Sequence, residues 1–143
     1  MITIEQLKKI TPRALEDINK LLPQLSPNEK TISQDYLARI IEDENVELFV
    51  VKGDEAIVGM ATLVFIRHPS GFEAFVEDVV IDEAYRGKGL GKQLMQKVIE
   101  EAKKRGVEYV ELTSRESRIA ANKLYQSLGF KKRETNVYTL KLQ

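Results

Sequence analysis

An apolar run from Ala74 to Asp82 is followed by Tyr85-Arg86-Gly87-Lys88-Gly89-Leu90-Gly91-Lys92. Leu90, Leu94, Val98, Ile99 and Ala102 then recur at helical spacing. No other stretch narrows the folding choices of this chain as much. The inner residues Val76, Val79, Val80 and Ile81 suit a central strand buried on both faces. Gly106 provides a helix stop, and Val107 to Thr113 reads as the next strand. Strand, helix, strand in that order requires a parallel crossover. Between the first two, closely spaced glycines allow successive backbone N–H groups to converge, and a helix start adds unpaired N–H groups and a positive dipole end. Such a turn is an anion cradle, with Arg86, Lys88 and Lys92 adding charge where a phosphate would rest.

The remaining segments supply the other elements. Ile2 to Leu7 alternates as a first strand, and Thr11-Pro12 reads as an N-cap with proline at the first helical position. Leu15, Ile18 and Leu22 form that helix's buried stripe, which Pro23 and Leu25-Ser26-Pro27-Asn28 interrupt. Ser33 caps a second helix whose Tyr36, Leu37, Ile40 and Ile41 share a face. Val46 to Lys52, a Gly53-Asp54 turn and Ala56 to Ile66 form an antiparallel hairpin, so the sheet is mixed. Arg118 to Leu128 is a helix ended by Gly129, and Tyr138 to Leu142 is expected as a last strand.

Composition removes several function classes. The 143 residues suit one domain, 1–143. The 22 Lys and Arg balance 22 Asp and Glu, so the general positive field that nucleic acid or an anionic membrane would require is absent. There is no cysteine, hence no disulfide, thiolate chemistry or Cys-ligated zinc. His68 is the only histidine, placed before Pro69 in a Ser-Gly turn as a loop residue, and supports neither a His-based metal site nor a Ser-His-Asp triad. No metal is expected. No apolar stretch approaches the roughly 20 residues needed to span a bilayer, so a soluble, cytoplasmic protein is expected.

Two other phosphate motifs fit the glycine turn poorly. A Walker loop requires a hydroxyl after Gly-Lys, and here Gln93 follows Lys92. A dinucleotide fingerprint requires Gly-x-Gly-x-x-Gly, whereas this turn is Gly-x-Gly-x-Gly and lies mid-chain. A flexible Lys- and Gly-rich surface turn would explain the six residues alone, but not their position between strand and helix.

Arg86-Gly87-Lys88-Gly89-Leu90-Gly91 resembles the Arg/Gln-x-x-Gly-x-Gly/Ala signature of the GNAT superfamily of acetyl-CoA-dependent N-acetyltransferases. Glu77-Asp78-Val79-Val80-Ile81 resembles its central strand, and Asn122-Lys123-Leu124-Tyr125-Gln126-Ser127-Leu128-Gly129-Phe130 its second signature. The resemblance implies an α/β fold: a mixed, mostly antiparallel sheet with a parallel pair splayed at the cofactor cleft, flanked by about four helices. It implies an acetyl-CoA diphosphate on the backbone of Gly87, Lys88, Gly89, Leu90, Gly91 and Lys92, with Arg86 beside it and Gly89 and Gly91 least replaceable. It assigns the pantetheine arm to main-chain groups of Val79, Val80 and Ile81, whose side chains equally suit core packing.

By the same resemblance Tyr125 protonates the departing thiolate. A phenol near pKa 10 is able to serve a thiol near 8.5, while the structural alternative is a ring packed under its helix with its hydroxyl on a carbonyl. Glu77 is the candidate base and Asp78 the fallback, because an amine of pKa about 10.4 is neutral in only about one molecule in a few thousand at pH 7. A pairing irregularity there would change which side chain faces the cleft. Glu77 could equally orient a cationic substrate or solvate an edge.

One departure stands out: many members carry asparagine seven residues before the tyrosine, where this chain has Arg118. Asn122 shares a helical face with Arg118 and Tyr125 and is a further cofactor candidate. The acceptor pocket is expected from residues 24–34, Arg67-His68-Pro69 and the Arg133 to Tyr138 region. A primary amine of a small molecule is the first expectation, a protein amine the second, and the resemblance allows a homodimer. The competing functions are a non-catalytic acyl-CoA sensor and a nucleotide-binding protein.

Overall fold

A computed structural model describes residues 1–28 and 30–143. They form two compact units, 1–113 and 114–143. In the first, strands run in the order β1 (Ile2–Gln6), β2 (Val46–Gly53), β3 (Ala56–His68), β4 (Gly71–Ile81) and β5 (Val110–Glu111) across one sheet. Helices α1 (Pro12–Leu25) and α2 (Gln34–Glu42) lie between β1 and β2 in the chain, and α3 (Leu90–Arg105) between β4 and β5. Neighbouring strands are antiparallel except β4 and β5, which are parallel. The sheet is therefore mixed and mostly antiparallel, with the crossover where the glycine turn required it.

Local chemistry explains the helices. Thr11 caps α1 through Oγ1, which accepts from the Ala14 N–H at 3.0 Å, and Pro12 opens the helix. Ser33 Oγ caps α2 by accepting from the Tyr36 N–H. Helix α3 starts from Gly89 and stops at Gly106, both left-handed, with Lys103, Lys104 and Arg105 against the negative end of its dipole. Ala14, Ile18, Leu21 and Leu22 of α1 pack with Leu37 of α2 and with Leu48, Val50, Met60 and Val80 of the sheet. Asp17, buried in this layer, accepts the Ile57 N–H at 3.0 Å.

Several expectations need correction. Helix α1 runs through Pro23 to Leu25: proline lacks one N–H, but the helix ends two residues later, so the lost bond displaces little. Tyr36 is exposed while Leu37 is fully buried, so the α2 stripe is narrower than its apolar spacing suggests. Strand β5 has two residues, not the seven from Val107 to Thr113. Strand β3 extends to His68, which closes the strand instead of sitting in a loop.

The second unit holds α4 (Ile119–Ser127). Gly129, at φ 99°, reverses the chain so that the Phe130 N–H returns to the Tyr125 carbonyl at 3.0 Å and the Gly129 N–H to Gln126. Tyr138 to Leu142 forms no strand; Tyr138 is 88% exposed and Leu140 83%. The alternation Tyr138, Leu140, Leu142 fits a strand face, but a strand exists only with a ladder partner, and among the described residues none pairs with it.

Candidate active site

The irregularity that gives the site its shape lies in β4. Thr62 pairs with Glu77 but Met60 pairs with Val80, so Asp78 and Val79 together oppose Ala61. Asp78 takes a left-handed backbone, φ 53°, as the extra residue of a β-bulge. Residues directly opposite share a face, and Met60 and Leu63 are three apart on β3. Val80, opposite Met60, therefore lies on the sheet face covered by α1, and Val76, opposite Leu63, lies on the other. Both valines are buried although an unbroken strand would put them on one side. Glu77 shares the α1 face with Val80.

The same bulge redirects the main chain. The Asp82 N–H donates to the Val58 carbonyl at 2.8 Å, so by ladder alternation Val80 also faces β3 while backbone groups of Val79 and Ile81 face the opposite edge. On that edge β5 pairs only with Ala74 and Phe75. From Val76 onward the parallel partner is gone, and among the described residues no strand replaces it. Of the three expected main-chain residues, Val79 and Ile81 thus face the open edge and Val80 does not.

The chain next makes a short 3-10 turn at Glu83–Tyr85 and enters the glycine turn. Gly87 and Gly89 have φ of 79° and 77°, and a Cβ on either would meet no atom within 4 Å. What demands glycine there is the backbone, with open space on the side where a side chain would sit. Gly91 lies inside α3 and is not left-handed, so of the three glycines the left-handed pair is Gly87 and Gly89. No side chain caps α3, which leaves its first N–H groups for an outside acceptor. This open, uncapped concavity fits a diphosphate.

The basic residues divide. Lys88 and Lys92 are exposed, with Lys88 Nζ 5.1 Å from the centre of the Tyr85 ring. Arg86 instead donates from Nε to the Ile81 carbonyl at 2.9 Å and from Nη2 to Gln24 Oε1 at 3.4 Å. Gln24 Oε1 also accepts the Glu83 N–H at 3.0 Å. This anchor has no sequence signature: an amide in the last turn of a helix signals nothing until a partner distant in the chain is known.

Glu77 has its carboxyl raised above the ordinary carboxylate value, first by loss of hydration against the sheet and then by the neighbouring Asp78 charge. That moves a weak base toward neutral pH. Among the expected acceptor segments, His68 Nδ1 lies 3.0 Å from Ser70 Oγ and Nε2 3.4 Å from Glu73 Oε1. Asn19 bonds both the N–H and the carbonyl of Ile32, tying the 24–34 segment back to α1; Glu29 of that segment lies outside the described residues. Among the described residues no group of three His, Asp or Glu side chains converges as metal ligands.

Tyr125 and Asn122 belong to the second unit. Tyr125 is 6% exposed, meets the Phe130 ring edge-on at 6.0 Å, and has its phenol raised by burial against a smaller opposing effect of Arg118. Asn122 Nδ2 donates to the Arg115 carbonyl at 3.0 Å, closing the turn that precedes α4. The structure thus gathers Glu77, Val79, Ile81 and Arg86 to Lys92 at the end of β4 and start of α3.

The sequence profile of the acetyltransferase (GNAT) family matches residues 14–130. The chain belongs to this family. Glucosamine 6-phosphate N-acetyltransferase 1 of Oryza sativa subsp. japonica is 36% identical over 112 residues, 68% of this chain and 67% of that protein. The [ribosomal protein bS18]-alanine N-acetyltransferase of Escherichia coli K12 is 43% identical over 58 residues, 41% of this chain and 39% of that one. A solved structure described as a transcriptional regulator from Bacillus halodurans C-125 superposes with a TM-score of 0.83 at 30% identity, covering 99% of this chain and all of that one. As a GNAT protein the chain is an acetyl-CoA-dependent acetyltransferase.

Proposed function

We propose that this enzyme moves the acetyl group of acetyl-CoA to the primary amine of a small molecule, with Glu77 as base and Tyr125 as acid. The observation that carries the proposal is the bulge at Asp78, which puts a carboxyl of raised pKa two residues from backbone groups left without a strand. Acetyl-CoA, when bound, supplies a thioester carbonyl that a neutral amine attacks. The N–H groups of the glycine turn and of the first turn of α3 hold its diphosphate, and Val79 and Ile81 hold its extended arm. Glu77 takes the proton that the amine must lose, and the Tyr125 phenol gives one to the leaving sulfur.

A small acceptor is favoured because the rice relative, named for an amino-sugar phosphate, matches two thirds of both chains, whereas the relative named for a protein alanine matches about two fifths. We read residues 1–143 as one catalytic domain, since the family match runs across the 113/114 junction without a break. A cytosolic location and a homodimer remain part of the proposal. The test is CoA release from acetyl-CoA over a panel of amino sugars, aminoalkyl compounds, and peptides with free N-termini or lysines. Turnover on a small amine supports the reading; turnover on peptides alone replaces it with a protein acceptor, and tight acetyl-CoA binding without turnover replaces it with a sensor.

A further inference from the structure

Arg86 opens the glycine signature, yet its guanidinium is engaged away from the concavity. Its Nε bonds the Ile81 carbonyl, the last of β4, and its Nη2 reaches Gln24 Oε1. The same Gln24 oxygen takes the Glu83 N–H. One amide in the last turn of α1 therefore holds both ends of the short 3-10 turn that separates β4 from Gly87. Asp82 adds a local bond, Oδ1 accepting from the Ala84 N–H at 2.9 Å, which keeps the turn compact between those two ends.

We propose that Gln24 and Arg86 form a positioning clamp that sets the glycine turn relative to the open edge of β4, so that Arg86 acts on cofactor binding through the backbone and does not touch a phosphate. The inference rests on the reading that this turn binds acetyl-CoA. Two consequences separate a clamp from a phosphate contact. A phosphate-contacting arginine contributes charge attraction that salt screens, whereas a clamp contributes geometry that salt leaves alone. And two residues acting on one turn through a shared hydrogen bond are coupled, so their losses do not add. Arg86 also uses the Ile81 carbonyl, which limits the main-chain groups offered to the cofactor arm to the Val79 pair and the Ile81 N–H.

The experiment is calorimetric titration with acetyl-CoA at low and moderate salt for wild type, Gln24→Ala, Arg86→Ala, Arg86→Gln and the double alanine variant, with amide hydrogen exchange at Glu83. A net hydrogen bond of ordinary strength predicts that each single alanine variant weakens binding roughly three- to tenfold. The double variant should weaken binding by less than the product of the two single losses, because only the Arg86–Gln24 bond is common to both; all salt slopes should match wild type, Arg86→Gln should recover part of the loss, and the Glu83 amide should exchange faster in Gln24→Ala. Wild-type affinity in Gln24→Ala, or a flattened salt slope in Arg86→Ala, overturns the clamp. If wild type binds no acetyl-CoA, it is the cofactor reading that falls. Exchange at Glu83 then decides the clamp alone: faster in Gln24→Ala supports it, unchanged refutes it.

Discussion

Asp78 and Val79 stand together against a single residue of β3, and the first of them is left-handed. A regular strand through this point would return Val80 to the face of Val76 and close the alternation that leaves Glu77 beside the redirected main chain. The doubled position is thus the hinge between core packing and chemistry.

Glu77 sits just before it with a raised carboxyl, so the acid limb of kcat/KM should lie above the ordinary carboxylate range, activity falling as pH drops through the raised value. Glu77→Gln should remove that limb and reduce kcat/KM by about 10²-fold or more. Asp78→Asn, by deleting the neighbouring charge, should shift the limb toward lower pH. A pH–rate profile of the three proteins checks this, and an unchanged acid limb in Glu77→Gln rules the residue out as base.

Burial holds the Tyr125 phenol above its usual value, so it stays protonated across the neutral and mildly alkaline range and is available as a donor. Tyr125→Phe should lower kcat by about 10²-fold while leaving the KM for acetyl-CoA nearly unchanged. Steady-state kinetics with thiol detection provides the measurement, and equal loss in both parameters would point to a folding role instead.

At Gly89 the left-handed backbone, not crowding, is what excludes a side chain. Gly89→Ala should cost about 1–2 kcal/mol of stability from that conformation alone and weaken acetyl-CoA binding at least about tenfold, because the added methyl enters the concavity. Gly91→Ala, in a helix, should not lose stability and should gain up to about 1 kcal/mol. Denaturant unfolding beside calorimetry resolves the pair.

Two strands from Val76 and on the sheet face opposite Glu77, Glu47 has its side chain only 14% exposed and paired with Arg105 at 3.3 Å, while Arg105 lies over the Phe65 ring. Burial raises the Glu47 carboxyl, and Arg105 opposes the rise. The fold therefore favours the protonated form: this contribution is full below the unfolded-state value and is lost as pH rises through the folded one. Removing Arg105 takes the pairing from ionised Glu47 and, at any pH, the contact with the Phe65 ring, so Arg105→Ala should cost about 1 kcal/mol near pH 7, discounted for the partial exposure of the arginine. Near about pH 4, where Glu47 takes up its proton, the cost should be smaller. Urea unfolding at both values tests the trend.

Much of the architecture was legible because its signals are local. Thr11 and Ser33 announce their caps, Gly106 and Gly129 their helix ends, and Gly53-Asp54 the hairpin, though Gly53 closes β2 and the turn itself is Asp54-Glu55, both left-handed. The glycine turn was legible for the same reason. The parts that escaped depend on partners distant in the chain. Only the polar Glu77-Asp78 pair inside an apolar run hinted at a bulge, and nothing along the chain says that Ala61 faces two residues. The brevity of β5 and the unpaired Tyr138 to Leu142 follow from ladder partners, which residue patterns do not specify.

Strand β5 abandons its neighbour after two residues, and from there the flank of β4 offers amide and carbonyl groups that belong to no particular amino acid. Evolution has little there to retune by exchanging one side chain for another. Proline alone, by deleting an amide hydrogen, would write on that surface.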